Sequence, residues 1–265
     1  MQVQQRPEFE TEDRKRIYEY VERNGVVERG ELDDEFAMDA DRIELELSEL
    51  IDEGYLDERD GIYRIAIDVG EPTTHEIDGV EFTVRPAKQG DLRGLIHVMR
   101  TVSEEGAYLT AESVMDLLDH EEVVFRHNDV ESRMFFVATV DAEAQSASSP
   151  DSNTRRDGEV VGWIHLDSPN FAKLRHTAEL TMGVLEEYRG HGIGSHLMER
   201  GLDWAASNGY EKVYQSIPAT NQDAVRFLEN HRWETEAIRR AHFKIDDEYV
   251  AEQQMAVMLE DPRLG

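Results

Sequence analysis

The sequence predicts an α/β protein in which a mixed β-sheet carries helices on its faces, preceded by a small helical unit that ends in a hairpin. Three observations predict it. Within Thr177–Asn208 the hydrophobic period changes from two to 3.6: Leu180, Met182 and Val184 alternate with Glu179, Thr181 and Gly183 as in a half-buried strand, and Ile193, Leu197, Trp204 and Ala205 then recur at helical spacing. From Val80 onward the apolar runs follow the order β-α-α-β-β-β-α-β-α-β-β. Before them, Glu12–Ile67 form a separate pattern, set off by a polar, aperiodic stretch, Asp68–Gly79, that contains Pro72 and reads as a linker.

Taken in order, Ile17, Tyr20 and Val21 mark a first amphipathic helix ended at Asn24-Gly25, and Gly30–Phe36 supply a short middle one. Ile43, Leu47, Leu50 and Ile51 mark a longer helix ended at Gly54. Tyr55-Leu56 and Ile62–Ile65, separated by Asp57–Gly61, read as a two-stranded hairpin. Three helices and such a wing resemble a winged helix-turn-helix, here a domain over residues 1–70. Its would-be recognition helix carries Asp39, Asp41, Glu44, Glu46, Glu49 and Asp52 against Arg42 alone. Duplex DNA is held largely by Lys and Arg that neutralise phosphates, so this charge argues against DNA and for a docking or dimerisation module, with a homodimer as one outcome.

The second domain, residues 71–265, opens with Val80, Phe82 and Val84 as a strand ending at Arg85-Pro86. A helix through Leu92, Leu95, Ile96 and Met99 follows, then another near Ala111–His120. Met134–Val140 and Glu159–Leu166 read as a long hairpin. Their connection, residues 141–158, has no aliphatic or aromatic core residue except the small Ala and is rich in Ser and Asp, so a disordered surface insertion is expected. Lys212–Ile217 form a fifth strand and Asn221–Asn230 a short helix with Ala224, Phe227 and Leu228 inward. A hairpin of Ala237–Ile245 and Tyr249–Leu259 ends the chain.

Across 265 residues, 58 acidic side chains stand against 28 basic ones, a formal net charge of −30. Such a field repels nucleic acid and anionic membranes and attracts cationic partners; it resembles the acidic proteins of haloarchaea. With no cysteine, disulfides, a thiol nucleophile and Cys-ligated zinc are excluded. No targeting segment or long apolar run is evident, so a cytoplasmic protein with no membrane partner is expected.

The most informative stretch is the loop at the change of period. Gly190, Gly192 and Gly194 let backbone approach a ligand, and the helix that follows presents unpaired N–H groups at its positive end, so an anion, most simply a phosphate, fits there. A P-loop needs Lys then Ser or Thr after its last glycine, where this chain has Ser195-His196; a dinucleotide fingerprint needs glycine where Ser195 stands. What fits is Arg-x-x-Gly-x-Gly entered from a strand, and the segment MGVLEEYRGHGIGSHLM closely resembles motif A of the GNAT superfamily of acyl-CoA-dependent N-acetyltransferases. The element order over Gly79–Leu259 is also that of GNAT proteins, with the winged-helix-like domain ahead of it.

The resemblance implies acetyl-CoA as cosubstrate, a primary amine as acceptor, direct attack in a ternary complex, and no metal. It implies that the backbone of Met182 and Val184 pairs with the pantetheine, and that the Val184 N–H faces the thioester oxygen. Arg189, Gly190, His191, Gly192, Ile193 and Gly194 would hold the pyrophosphate, and Asn221 would touch the cofactor. Glu179 holds the general-base position of the histone acetyltransferase branch, with His165 as rival. Glu104, Glu105 and Tyr108 lie in the segment that lines the acceptor side in GNAT proteins, where acids would favour a small cationic amine, an amino acid or a protein lysine. Where the family has Leu-Tyr, with Tyr as general acid, this chain has Phe227-Leu228, leaving Tyr188 or Tyr214 as substitute hydroxyls. An acyl-CoA-sensing regulator with weak or no catalysis is the alternative.

Overall fold

The computed structural model describes residues 7–66, 69–104, 109–121, 124–127, 132–141, 158–168, 171–245 and 247–259. The expected insertion therefore lies, apart from its two ends, outside the described residues.

The first unit comprises α1 (Glu12–Asn24), β1 (Val27–Glu28), α2 (Arg29–Glu35), α3 (Ala40–Asp52), β2 (Leu56–Arg59) and β3 (Ile62–Ile65). Thr11 caps α1 by accepting the Arg14 N–H at 3.1 Å, and Gly25, at φ 77°, ends it. Ile17, Tyr18, Val21, Leu32, Ile43, Leu47 and Leu50 build a core of their own. Tyr18 takes the fully buried place expected of Tyr20, which instead packs edge-on against Phe36 at 5.6 Å. The wing has three strands rather than two, in the order β1-β3-β2, because Val27 and Glu28 pair with Tyr63 and Ile62. A two-residue strand is too short to leave a periodic trace in sequence. Nor is the acidic face of α3 uniformly solvated. Glu46 is 1% exposed and held by Arg14 at 3.0 Å and Arg42 at 2.7 Å.

The second unit comprises β4 (Thr73–Ile77), β5 (Val80–Pro86), α4 (Leu92–Ser103), α5 (Leu109–Glu121), β6 (Arg126–His127), β7 (Ser132–Val140), β8 (Glu159–Ser168), β9 (Thr177–Val184), α6 (Ile193–Ser207), β10 (Lys212–Pro218), α7 (Gln222–Asn230), β11 (Glu234–Ile245) and β12 (Glu248–Met258). The sheet runs β11-β12-β10-β9-β8-β7-β5-β4, with β6 added on β7. Among the described residues, only β9 and β10 are parallel. Strand β4 falls within the stretch expected to be a linker. Its pairing with β5 turns on Asp78-Gly79, both at positive φ (52° and 80°), which is the two-residue hairpin signal. The residues Thr-Thr-His-Glu-Ile hide a β-prone edge strand behind polar side chains.

Strand β9 is covered on both faces, not half-buried: Thr181 and Gly183 are as enclosed as Leu180 and Met182. Helix α4 packs on β8 and β9, α5 on β9 and β10, and α6 on β7, β8 and β9. The two units meet where the Tyr18 hydroxyl donates to the His127 carbonyl and buried Glu22 accepts the His127 N–H at 2.6 Å.

Gly183 lets β9 lie under Trp163, since a Cβ there would come within 2.4 Å of the indole. Gly183→Ala is expected to cost about 1–3 kcal/mol through overpacking. Thermal unfolding checks it, and an unchanged midpoint would mean that Trp163 is free to move.

Candidate functional site

The parallel strands part company early. Only Lys212↔Thr177, Val213↔Ala178 and Tyr214↔Glu179 are paired. Beyond that rung β10 stays on β12 through Pro218, and β9 stays on β8 through Val184. The Leu185 N–H bonds to the Val161 carbonyl at 2.9 Å. Strand alternation therefore turns the N–H and C=O groups of Met182 and Val184 the other way, toward the side β10 has left. A cleft of about 430 Å³ opens there, walled by Thr181–Val184 on one strand and by Gln215, Ile217 and Pro218 on the other.

The glycine loop closes one end of this cleft. Arg189 braces it: its N–H bonds to Glu186 at 3.1 Å, and its Nε donates to the Val184 carbonyl at 2.9 Å. The Arg189 amide is thus spent inside the loop and is not among those turned to an anion. Gly190 and Gly192 sit at φ 82° and 75°, which side chains with a Cβ rarely adopt. A Cβ on Gly192 would also come within 2.7 Å of Ile77 on β4, so the unforeseen strand backs the loop. The His196 N–H is bonded to the Gly192 carbonyl at 3.1 Å, and the amides of Ile193, Gly194 and Ser195 before it have no helical acceptor. The Ile193 side chain is buried in the core, and that of His191 is not on the cleft wall.

Helix α7 roofs the cleft. Asn221 caps it, its Oδ1 accepting the Ala224 N–H at 3.1 Å, and it also lines the cavity. Phe227 lies over Gly194, where an added Cβ would meet its ring at 3.4 Å, and Leu228 is buried. Of the two substitute hydroxyls, Tyr188 lines the cleft and Tyr214 does not. Burial raises the Tyr188 hydroxyl; burial and the charges of Glu179 and Asp167 push that of Tyr214 to about 12. Gln215 was not legible as a site residue, because it is one polar position in a strand with no motif around it.

At the vertex, Glu179 shares rungs with Asp167 and Tyr214. Burial, then the charge of Glu252, raises its pKa above the usual carboxylate value. Glu252, 2% exposed, is shifted the opposite way: burial opposes its charge, but Arg239 and Ser216 outweigh burial and hold it ionised. His165 is 4% exposed, stacked on Phe135 at 4.4 Å, and driven to about 3 by burial and by Arg133. It stays neutral near physiological pH and is a poor proton acceptor, which weakens its case as rival base. Glu104 is exposed at the end of α4; Glu105 and Tyr108 lie outside the described residues. Among the described residues, no helix is long and apolar enough to cross a membrane, and no three or more His, Asp or Glu side chains are grouped to hold a metal.

Comparison with known proteins points one way. Residues 112–232 match the model of the acetyltransferase (GNAT) family. An "Uncharacterized N-acetyltransferase" of Archaeoglobus fulgidus is 35% identical over 74 residues, 27% of this chain and 50% of the relative, so the match spans about half of that protein's length. A GNAT-family acetyltransferase from Streptococcus pneumoniae superposes with TM-score 0.51 at 19% identity, over 67% of this chain and 99% of that one. A putative acetyltransferase from Salmonella typhimurium, solved with its cofactor acetyl-CoA, does so with TM-score 0.52 at 16% identity, over 68% and 95%. The second unit has the GNAT fold.

Because the folded pKa of His165 lies below its unfolded value, the neutral, buried ring contributes stability in full above pH 6.5, and this is lost as pH falls toward 3. His165→Phe should flatten that part of the acid limb in denaturant titrations at stepped pH. An acid limb identical to wild type would show that His165 is not the group responsible.

Proposed function

From the GNAT fold and family match we propose that this chain is an N-acetyltransferase, moving the acetyl group of acetyl-CoA to a primary amine by direct attack in a ternary complex. The observation that carries the reading is the fork: β10 leaves β9 after three rungs, the last of them at Glu179, and opens a cleft that runs from Thr181 to the glycine loop. The residues fit the cosubstrate by their chemistry. Met182 and Val184 offer an unpaired strand edge inside the fold, and Ile193, Gly194 and Ser195 offer three amides at a helix start. Acetyl-CoA supplies the acetyl group already activated as a thioester.

In this reading the edge of Met182 and Val184 binds the pantetheine arm as an added strand. The Val184 N–H, turned into the cleft, shares charge that develops on the thioester oxygen. Gly190, Gly192 and the amides of α6 hold the pyrophosphate; Asn221 orders the roof, and Arg189 keeps the loop in shape. Glu179 takes the proton of the acceptor ammonium. Five residues of strand, at ~3.3 Å each, separate Glu179 from Val184, so the proton reaches Glu179 through water. The raised pKa makes Glu179 the stronger base, and Asp167, Glu252 and Glu104 favour a cationic acceptor. Leu228 cannot act as general acid; Tyr188 is the hydroxyl on the cleft wall. Residues 1–70 form a winged-helix-like docking module on a cytoplasmic enzyme with a halophilic charge balance. DNA is disfavoured by the acids of α3.

Gly194→Asp sets a carboxylate among the α6 amides and is expected to abolish acetyl-CoA binding in calorimetry, by like charge and by bulk. Wild-type affinity in that variant would remove the loop from the site.

Glu179→Gln is expected to lower the acetylation rate ~100-fold or more at neutral pH. Wild-type activity should rise with pH through the ionisation of Glu179, and this limb should vanish in Glu179→Gln. In Glu252→Gln the limb should move to lower pH, since a charge that raises the Glu179 pKa is gone. A limb unmoved in both variants would take the base role from Glu179.

A further inference from the structure

We propose that Gln215 is a recognition residue for the acyl donor, its side-chain oxygen accepting the amide N–H of the pantetheine arm nearest the thioester. The inference rests on the acetyltransferase reading and adds a polar side-chain contact from the β10 wall of the cleft. Gln215 is the first residue of β10 beyond the last rung shared with β9, and it faces the edge of Thr181–Val184 across the cleft. It is 6% exposed, and its Oε1 is sealed from solvent with no hydrogen-bond donor. An orphaned amide oxygen in such a place costs stability unless a donor arrives with a ligand. Of its neighbours on the wall, Met182, Val184 and Ile217 bring no side-chain donor, and the Thr181 hydroxyl makes no bond to it. An N–H can supply that bond, and an arm laid along the β9 edge carries secondary amides whose N–H groups must also be satisfied once they leave water.

The choice of an acceptor side chain here also predicts an unusual pair of effects. Gln215→Leu removes an unsatisfied polar group from the free protein but leaves an unpaired N–H in the complex. The free variant should therefore melt at the same temperature as wild type or higher, yet bind acetyl-CoA ~10-fold to 100-fold more weakly. A residue that merely supported the strand would lower both together.

The experiment is calorimetry of acetyl-CoA and of adenosine 3′,5′-bisphosphate on wild type and Gln215→Leu, with thermal unfolding of both free proteins. Weaker acetyl-CoA binding with the bisphosphate unchanged, and no loss of melting temperature, is the expected result. Equal acetyl-CoA affinity in the two proteins overturns the proposal while leaving the acetyltransferase reading intact, whereas no acetyl-CoA binding by wild type overturns both. Should Gln215→Leu not fold, the wild type alone decides. An acetyl-CoA analogue with ester oxygen in place of that amide N–H should bind it ~10-fold more weakly, and equal affinity for the two donors overturns the proposal.

Discussion

Strand β10 cannot stay paired to two diverging neighbours at once, and its allegiance to β12 is the constraint from which the site follows. Seven rungs hold it to β12 and three to β9. The consequence is a length of β9 whose outward backbone groups face a cleft and have no strand beside them. That edge borders the open cleft, and its backbone groups are free of strand pairing there. The Arg189 guanidinium takes one of these groups, the Val184 carbonyl, and so ties the glycine loop to the end of the strand.

Around the fork the chain closes the cleft with elements from distant parts of the sequence. Phe227 of α7 lies over Gly194 at the start of α6, and Ile77 of β4 stands behind Gly192. The second requires a glycine, for close approach together with a positive φ. The His75 and His196 rings, stacked at 3.8 Å, add a further contact between β4 and α6.

The electrostatics of the vertex divide two carboxylates by environment. Glu179 is half-buried beside the charge of Glu252 and is shifted up; Glu252 is buried with Arg239 and Ser216, with His242 at 3.6 Å, and is shifted down. Such separation lets one acid remain a fixed charge while the other exchanges a proton. In a chain of net charge −30, several arginines have structural tasks of this kind: Arg85 grips buried Asp91 through two hydrogen bonds, and Arg14 reaches Glu46 and Glu53. The buried Glu22 and the Tyr18 hydroxyl likewise spend polar groups on joining the two units at His127.

The sequence by itself determined the elements and the loop. Hydrophobic period is a local property, and so are the glycines that allow positive φ at 190 and 192; both are written within a few residues of where they act. Strand β4 was also written locally, in Asp78-Gly79, but its polar side chains concealed it. Only the tertiary structure decided which strands part, because register and divergence depend on partners far along the chain. It alone showed that the Arg189 amide is already bonded, that His165 is buried beside a cation and stays neutral, that Tyr188 rather than Tyr214 reaches the cleft, and that Gln215 faces it with an unpaired oxygen. Burial, hydrogen-bond pairing and field are sums over neighbours brought together by folding, and no window of sequence contains them.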